Sequence, residues 1–516
     1  MSAASICILA TIAAYLIVML WIGFYFAGKN ESSTDFYLGG RRLGPLVTAM
    51  SAEASDMSSY LLMGLPGVAY LSGLADVGWT VIGLAVGTYL NWRLTARRLR
   101  RYTQVTDSFT LPQFFSHRFH DQKHILSVLS ALIIITFFIP YTASGFAACG
   151  KLFHSLFGMD YMAAMIVSAI IIVGYTAAGG FLAASTTDFI QSIVMTGAIL
   201  FVLVFSTVSA GGVDVVMENA KSLPGYFSLT ATYSEETGAA SPYGFLTIVS
   251  TLAWGLGYFG MPHILLRFMA IGDETKLTLS RRVASIWVVI AMAVAVGIGL
   301  VGRGLTYAGK IDALHGSDAE TIVVRVADLV ASHGIFPALI AGLILAGILA
   351  STMSTADSQL LAASSSVSQN ILQEGLGLKL SPRASMLAAR GTVILIAAAG
   401  ILIAQDPSSS VFGIVSFAWA GFGAGFGPLV ICALFWKRTT LAGGICGMLA
   451  GGGMVFLWKY LLKPMGGIFG IYELLPAFLT GFVVILVVSL LTKAPSQAIQ
   501  DEFDLARNST PLEAKS

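Results

Sequence analysis

The chain is a succession of apolar segments, each about as long as a lipid bilayer is thick. Such segments cross a membrane as helices, because a helix satisfies its own backbone hydrogen bonds where there is no water. Of the 516 residues, 56% are hydrophobic and 11% are charged, whereas a soluble domain has about 25% charged residues. The net charge of +2 gives no basis for nucleic-acid binding. The sequence therefore predicts an all-α integral membrane protein.

A helix needs about 20 apolar residues to cross the hydrocarbon core, and this rule predicts about 13 transmembrane helices. The first segment has no basic leader and no small-residue cleavage site, so we expect it to be retained. The segment at 335–371 is too long for one straight crossing and should tilt, bend or extend beyond the bilayer. The predicted spans are 5–27, 46–73, 75–95, 126–153, 161–184, 188–210, 243–270, 283–308, 335–371, 388–405, 411–436, 441–462 and 470–492.

Basic residues occur in alternate loops, and this alternation predicts the orientation of the helices. Short cytoplasmic loops are enriched in Lys and Arg. One set of loops carries Lys29, the run RRLRR at 97–101 and Lys437, whereas the opposite loop at 211–242 is acidic. An odd number of crossings then places the N-terminus outside and the C-terminus in the cytoplasm. The polar tail after Lys493 should be loosely ordered.

Two carboxylates interrupt the second apolar segment, within the stretch SAEASDMSSYLLMGLPG at 51–67. Asp56 is surrounded by Ser residues, which weaken helix interiors, and Gly and Pro residues follow it. Non-helical backbone at membrane depth is tolerated only where it lines a cavity. The stretch therefore predicts a broken helix beside a binding site. Glu53, nearer the start of the span, is either a structural residue or faces a vestibule, and no ligand role is assigned to it.

A second interruption, WGLGYFGMPH at 254–263, lies five predicted helices further along the chain. Broken helices at corresponding positions are typical of transporters built from two inverted repeats. Trp254 and Tyr258 are four residues apart, so on an α-helix they would share a face. They are either packing or lipid-facing rings, or an aromatic wall for an organic substrate.

Hydroxyl side chains recur in the stretch LASTMSTADSQLLAASSS at 349–366. Ser351, Ser354, Thr355 and Ser358 follow helical spacing and form one stripe. The stripe either cements helix packing or binds a hard cation such as sodium, which prefers oxygen ligands. Carbonyls freed at the break in the second span would complete such a site.

Four further ionisable residues lie at membrane depth, where each is a candidate functional residue. Asp188, at the border of two predicted helices, either caps the second of them or takes part in ion coupling. Arg267 lies near a cytoplasmic helix end, where its side chain can extend to the interface. We interpret His263 as a packing residue, and Asp357 as an acceptor behind the hydroxyl stripe or a gate partner.

Six motifs, in order, resemble the sodium:solute symporter family, most of all its proline-transporting branch. The resemblance extends nearly end to end and implies a LeuT-type fold with discontinuous helices. Its ten-helix core comprises two inverted five-helix repeats at 46–210 and 243–436, between a first helix and loop at 1–45 and two further helices at 441–492, with a cytoplasmic tail at 493–516. The motifs are DFYLGGR, SAEASDMSSYLLMGLPG, ALIIITFFIPYTASG, WGLGYFGMPHILLRFMA, STADSQLL and WAGFGAGFGP.

The resemblance implies a secondary transporter rather than an enzyme, located in the bacterial cytoplasmic membrane. It would couple inward sodium flux to uptake of L-proline by alternating access, with the lipid bilayer as its surroundings and no evident obligatory protein partner. Another amino acid, a short carboxylate, pantothenate or a sugar stays open as the substrate. Proton coupling through Glu53 and Asp56 also stays open, and a channel or a substrate sensor is the alternative outside this class.

The resemblance also implies roles for individual residues. The departures of this chain from the proline-transporting branch, at Ser59, Tyr60 and Met261, flank the implied substrate pocket. The implied sodium ligands are backbone oxygens of Ala54, Met57 and Ser351 and hydroxyls of Ser354 and Thr355; the sodium-coupling residues are Asp56, Asp188 and Arg41; the substrate-binding residues are Ser58, Tyr141, Trp254, Tyr258 and Pro262.

Overall fold

The computed structural model describes residues 2–27 and 33–508. Lys29 and the end of the tail at 509–516 lie outside the described residues. Helices dominate these ranges, and one antiparallel hairpin joins β1 (Ala231–Ser234) to β2 (Ala239–Pro242). The helices are α1 (Ala3–Ala27), α2 (Ser33–Leu38), α3 (Pro45–Ser59), α4 (Leu65–Ser72), α5 (Leu74–Leu90), α6 (Ala96–Val105), α7 (Leu111–Arg118), α8 (Ile125–Phe157), α9 (Tyr161–Ser209), α10 (Val213–Ser222), α11 (Phe245–Leu252), α12 (Pro262–Ala270), α13 (Leu277–Tyr307), α14 (Ile322–Ala331), α15 (Ile335–Ser365), α16 (Pro382–Ile403), α17 (Val411–Phe435), α18 (Leu441–Leu457), α19 (Leu474–Leu491) and α20 (Gln497–Asn508).

Among the described residues, nine helices are long and apolar enough to cross a membrane, and one bent pair, Phe245–Gly260 with Pro262–Ala270, would be a tenth. Three of the predicted crossings, 46–73, 75–95 and 161–184, consist of shorter or broken helices. The number of 13 crossings therefore stays a prediction. The long segment at 335–371 extends further than predicted, because α15 continues as a π-helical turn as far as Gly375.

The helices differ in how much of their apolar surface they bury, and this difference separates the centre of the fold from its periphery. In α17, 94% of the most apolar 18-residue stretch is buried inside the protein, whereas in α1 the buried share of the corresponding stretch is 28%. The exposed face of α1 carries Ile17, Trp21 and Phe24. A broad apolar surface of this kind suits contact with lipid.

Both predicted helix breaks are confirmed. Helix α3 begins with Pro45 in its first turn, where a missing N–H costs nothing, and its path changes at Ser58, which has a φ of 48° and a ψ of −168°. A π-helical turn then leads into α4. In the second broken span a 3₁₀ turn, Ala253–Gly260, follows α11, and the chain bends by 47° before α12. Helix α12 packs against α3, so the two breaks lie close together.

The break in α9 lies earlier than the sequence predicts. The predicted border fell at 184–188, whereas the kink is at Gly180, which has a φ of 68°. Only glycine adopts this backbone conformation without strain. Asp188 therefore lies inside a helix, two turns after the kink, and the interpretation of Asp188 as a helix cap is wrong.

The tail prediction is wrong for residues 497–508, which form α20. The buried ring of Phe503 attaches this helix to α6, with its centroid 6.3 Å from that of Tyr102 and 5.0 Å from the guanidinium carbon of Arg118. Asp504 pairs with Lys437. A single large apolar side chain thus anchors an otherwise polar helix. The tail helix therefore lies beside two of the basic segments, α6 with its run at 97–101 and the loop that carries Lys437.

Candidate functional site

A small cavity of about 10 Å³, close to the space that one water molecule needs, lies beside the break in α3, so a larger ligand requires its walls to move apart. It has one carboxylate, an aromatic wall and an apolar wall, the combination expected of a site that holds a small organic molecule by a few polar contacts. Its lining residues are Asp56, Met57, Tyr60, Leu84, Tyr141, Trp254, Met292, Val415 and Trp419.

Asp56 joins the broken helix to two other elements. Its Oδ2 accepts a hydrogen bond of 2.6 Å from the Tyr258 hydroxyl, and its backbone oxygen accepts one of 3.2 Å from the Tyr141 hydroxyl. The second carboxylate oxygen, Oδ1, is buried and has no partner among the described residues. A buried acceptor of this kind is costly unless something pairs with it, so Asp56 is a candidate ligand-binding group.

Trp254 and Tyr258 do not share a face in the way that α-helical spacing predicts. Both lie in the 3₁₀ turn, where residues three apart are aligned, rather than four apart. Trp254 lines the cavity, whereas Tyr258 reaches Asp56. The two rings nevertheless both contact Trp419, with centroids 6.2 and 5.1 Å from it, and the Trp419 indole N–H donates to the Trp254 carbonyl at 2.8 Å.

An aromatic cluster surrounds Trp254, and sequence reasoning missed most of it. Trp254 stacks on Tyr472 with centroids 4.9 Å apart, and it also contacts Tyr60 and Phe412 at 5.7 and 5.6 Å. Tyr472 precedes α19 and Phe412 is the second residue of α17, so no local spacing signals that these rings meet. We name these four residues, Tyr60, Trp254, Phe412 and Tyr472, the aromatic cluster.

Four of the five predicted sodium ligands converge. The Ser354 hydroxyl lies 2.9 Å from the Ala54 carbonyl, across the interface between α15 and α3. The Ser351 carbonyl lies 3.2 Å from the Ser354 hydroxyl and 3.1 Å from the Thr355 hydroxyl. These hydroxyls donate to carbonyls, but a rotation of the O–H bond would turn their lone pairs toward a cation. The fifth, the Met57 carbonyl, accepts the Tyr60 backbone N–H at the break.

A buried ion pair lies beside the hydroxyl stripe. Arg267 Nη2 is 3.0 Å from Asp188 Oδ2, and both side chains are almost completely buried. Ser51 donates to the same carboxylate oxygen at 2.7 Å and accepts from Arg267 Nε at 3.0 Å, while Ser358 accepts from Arg267 Nη2. The network therefore connects α3, α9, α12 and α15. A role of Asp188 in ion coupling stays a prediction.

The structure contradicts the predicted position of Arg267 and one of the two interpretations of Glu53. Arg267 does not extend to the interface, because its guanidinium turns inward to Asp188 and lies 5.0 Å from the centroid of the Phe181 ring. Glu53 does not face a vestibule: it is 1% exposed, and its Oε1 accepts from the Trp92 indole N–H at 3.0 Å. In both cases a hydrogen bond to a polar partner distant in the sequence offsets part of the free-energy cost of burying the charge.

The remaining candidate residues occupy distinct positions. Arg41 lies apart from the cavity, donating to Met269 O at 2.9 Å, Ser108 O at 2.6 Å and Thr103 O at 3.0 Å. Burial lowers the pKa of Arg41 to about 10, so its guanidinium stays charged at neutral pH.

Ser58 forms the break in α3, and Pro262 begins α12. His263 is packed as predicted, with its centroid 5.7 Å from that of the Phe138 ring, but its two buried ring nitrogens have no hydrogen-bond partner among the described residues. Asp357 accepts from the Ser358 hydroxyl at 3.0 Å, which agrees with the first of its two predicted roles.

Gly257→Ala should disturb the aromatic wall of the cavity. A Cβ at this position would lie 1.9 Å from Trp419 Nε1, so the indole must move and lose its bond to Trp254. Overpacking of this kind costs about 1–3 kcal/mol. We expect a lower melting temperature in detergent than for the control Gly197→Ala, where no atom lies within 4 Å of the added Cβ. Equal melting temperatures would contradict the close contact.

Comparisons with known proteins agree over almost the whole chain. The sequence profile of the sodium:solute symporter family matches residues 36–451. The sodium/proline symporter of Escherichia coli strain K12 is 40% identical over 499 residues, which cover 96% of this chain and 95% of that protein. That of Haemophilus influenzae is 41% identical over 503 residues, covering 96% and 97% of the two chains.

Two solved structures share the fold. A Na⁺-coupled sialic acid symporter in a substrate-bound outward-open state aligns with a TM-score of 0.78 and 18% identity, over 95% of this chain and 99% of that one. The nucleobase-cation-symport-1 family transporter Mhp1 aligns with a TM-score of 0.55 and 13% identity, over 91% and 98%. At these identities the likeness concerns the fold alone, and it confirms the predicted LeuT-type architecture.

Proposed function

The chain belongs to the sodium:solute symporter family, and from this premise we propose that it couples inward sodium flux to the uptake of L-proline by alternating access. Curated relatives that are about 40% identical over 96% of the chain are named for this activity. A membrane potential adds about 2.3 kcal/mol per sodium ion per 100 mV to the driving force.

One observation supports the coupling above all: the broken segment of α3 contributes both to the cavity and to a cluster of oxygen atoms. We name the atoms Ala54 O, Ser351 O, Ser354 Oγ and Thr355 Oγ1 the oxygen cluster. Ala54 contributes its carbonyl to the cluster, and Asp56, two residues later, lines the cavity. Sodium bound between α3 and α15 would fix the backbone that positions Asp56. The two ligands would then strengthen each other's binding by the same factor.

We assign the residues of the two sites accordingly. Sodium binds between α3 and α15. The substrate ring packs in the cavity against Trp254. The broken segments around the cavity are shaped by Tyr258, Tyr141, Ser58 and Pro262. Asp56, Asp188 and Arg41 support sodium coupling through the contacts described above. The sodium ligands are Ala54 O, Met57 O, Ser351 O, Ser354 Oγ and Thr355 Oγ1.

We also propose that the protein lies in the bacterial cytoplasmic membrane with its N-terminus outside and its C-terminus in the cytoplasm. The docking of α20 on the face that carries the basic loops supports this orientation. Protease should therefore remove the tail in inside-out vesicles and spare it in right-side-out vesicles. The reverse pattern would invert the orientation.

Uptake by the purified protein in liposomes tests the function. Labelled proline should accumulate when an inward sodium gradient is applied, and tenfold excess unlabelled proline should abolish the signal. A panel of other amino acids, short carboxylates, pantothenate and sugars serves as competitors. Failure of proline to compete would reassign the substrate, and uptake that persists without sodium at constant pH would favour proton coupling.

Tyr258→Phe should weaken transport by loosening Asp56 while leaving its carboxylate in place. The hydroxyl is the side-chain donor to Asp56 Oδ2, and the loss of one such bond costs about 1 kcal/mol. We expect about a fivefold rise in the KM for proline. Tyr161→Phe is the control, because its hydroxyl bonds Ala404 O away from the cavity. Equal kinetic constants for both variants would show that Asp56 does not depend on Tyr258.

A further inference from the structure

Tyr60 lines the cavity and carries a buried hydroxyl that the contacts described above do not use. Tyr60 is 4% exposed and lines the cavity, and its hydroxyl has no hydrogen-bond partner among the described residues. Its ring is fixed by Trp254 and Phe412, with centroids at 5.7 and 5.6 Å. Because a buried polar group rarely goes unpaired in a folded protein, this hydroxyl indicates a ligand group that pairs with it.

The other polar groups of the residues that line the cavity either already have hydrogen-bond partners or can only accept a hydrogen bond. The Tyr141 hydroxyl and the Trp419 N–H both donate to backbone carbonyls. Asp56 Oδ1 is unpaired like the Tyr60 hydroxyl, but it can only accept a hydrogen bond when ionised. Two residues that line one small cavity therefore each carry an unpaired buried polar group, a carboxylate oxygen on Asp56 and a hydroxyl that can donate on Tyr60.

An amino-acid zwitterion is complementary to this pair. The negative charge of Asp56 attracts the ammonium of the zwitterion and repels the carboxylate of the zwitterion. The backbone N–H of Tyr60, at the start of the second half-helix, is already bonded to the carbonyls of Met57 and Ser58. The hydroxyl of Tyr60 is thus better placed to receive an anion than its backbone amide.

We propose that the Tyr60 hydroxyl donates a hydrogen bond to the carboxylate of the substrate, while Asp56 Oδ1 accepts from its ammonium. Tyr60 is then a specificity-determining residue, because it distinguishes an amino acid from an amine of the same shape. The apolar residues Leu84, Met292 and Val415 contact the ring of the substrate. This assignment rests on the proposed function in that it takes proline as the substrate.

The test compares binding of proline and of pyrrolidine, which lacks the carboxylate. Calorimetry on purified protein in sodium measures both affinities, for the wild type and for Tyr60→Phe. We expect the variant to bind proline about tenfold more weakly and pyrrolidine unchanged. Removal of an unpaired buried hydroxyl should leave the melting temperature of the ligand-free protein the same or higher, which separates a binding defect from a folding defect.

Tyr472→Phe is the matched control, because it removes a hydroxyl from the same aromatic cluster. That hydroxyl donates to Ser416 O at 2.6 Å and does not line the cavity. The control should keep the wild-type ratio of proline to pyrrolidine affinity. An unchanged ratio in Tyr60→Phe, or an equal loss for both compounds, would overturn the assignment.

The proposed function can fail separately. If wild-type protein in sodium binds no proline, that function falls, and the same comparison is made with the solute that the uptake panel identifies and its analogue lacking the carboxylate. A carboxylate-dependent effect of Tyr60→Phe would then still support the assignment. A transported solute without a carboxylate would overturn it.

Discussion

Thr355→Ala is expected to raise the sodium concentration for half-maximal proline uptake roughly ten- to hundredfold. The Thr355 hydroxyl lies 3.1 Å from the Ser351 carbonyl, inside the oxygen cluster, and Ala offers no oxygen to replace it. The loss of one polar contact to a charge costs about 1.5–3 kcal/mol, which corresponds to that factor. Uptake rates measured over a series of sodium concentrations, at fixed proline and ionic strength, give the value.

Two variants of the same helix serve as controls. Thr355→Ser keeps the hydroxyl and should retain most of the sodium affinity. Thr352→Ala removes a buried hydroxyl that bonds Ile348 O at 3.0 Å, outside the oxygen cluster, and it should leave the sodium dependence unchanged. If Thr355→Ala and Thr352→Ala shift the sodium dependence equally, the cluster is a packing feature and not the sodium site.

The sequence predicted the breaks because their causes are local. Ser, Gly and Pro weaken a helix wherever they cluster, so a break near Asp56 and the turn before Pro262 could be predicted from composition alone, although the exact position at Ser58 could not. Helical spacing gives the hydroxyl stripe and a break gives free carbonyls, so a meeting of the two was predicted from the residues; the pairing of Ser354 with Ala54 in particular was implied only by the family resemblance. The kink at Gly180 escaped detection, since glycine is common in membrane helices and a single one is a weak signal.

The partners of buried charges could not be predicted in this way. Arg267 and Asp188 are 79 residues apart in the sequence, and nothing in either neighbourhood specifies the other. The sequence therefore favoured the interface for Arg267, and for Asp188 it left a helix cap and ion coupling both open; the interface and the cap are the local solutions for these charges. Tyr472 escaped for the same reason, because its contact with Trp254 depends on how α19 packs against the core.

Neutralising either Asp188 or Arg267 alone should strongly destabilise the protein. Asp188→Asn leaves a buried guanidinium without its counter-charge, and Arg267→Gln leaves a buried carboxylate in the same position. Breaking one side of a buried pair costs about 3–5 kcal/mol, whereas replacing both sides costs much less. We expect a marked drop in melting temperature in detergent for each single variant and a large recovery in the double variant.

An exposed pair provides the reference for this experiment. Asp273 and Lys276 are 3.8 Å apart with side chains about half exposed, and Asp273→Asn should change the melting temperature little, because water screens such pairs.

The double variant of Asp188 and Arg267 also separates protein stability from sodium coupling. A double variant that melts like the wild type but has lost sodium-dependent uptake would assign the pair a role in transport. Single variants as stable as the wild type would mean that water reaches these charges, and that the network between α3, α9, α12 and α15 is not a dry contact.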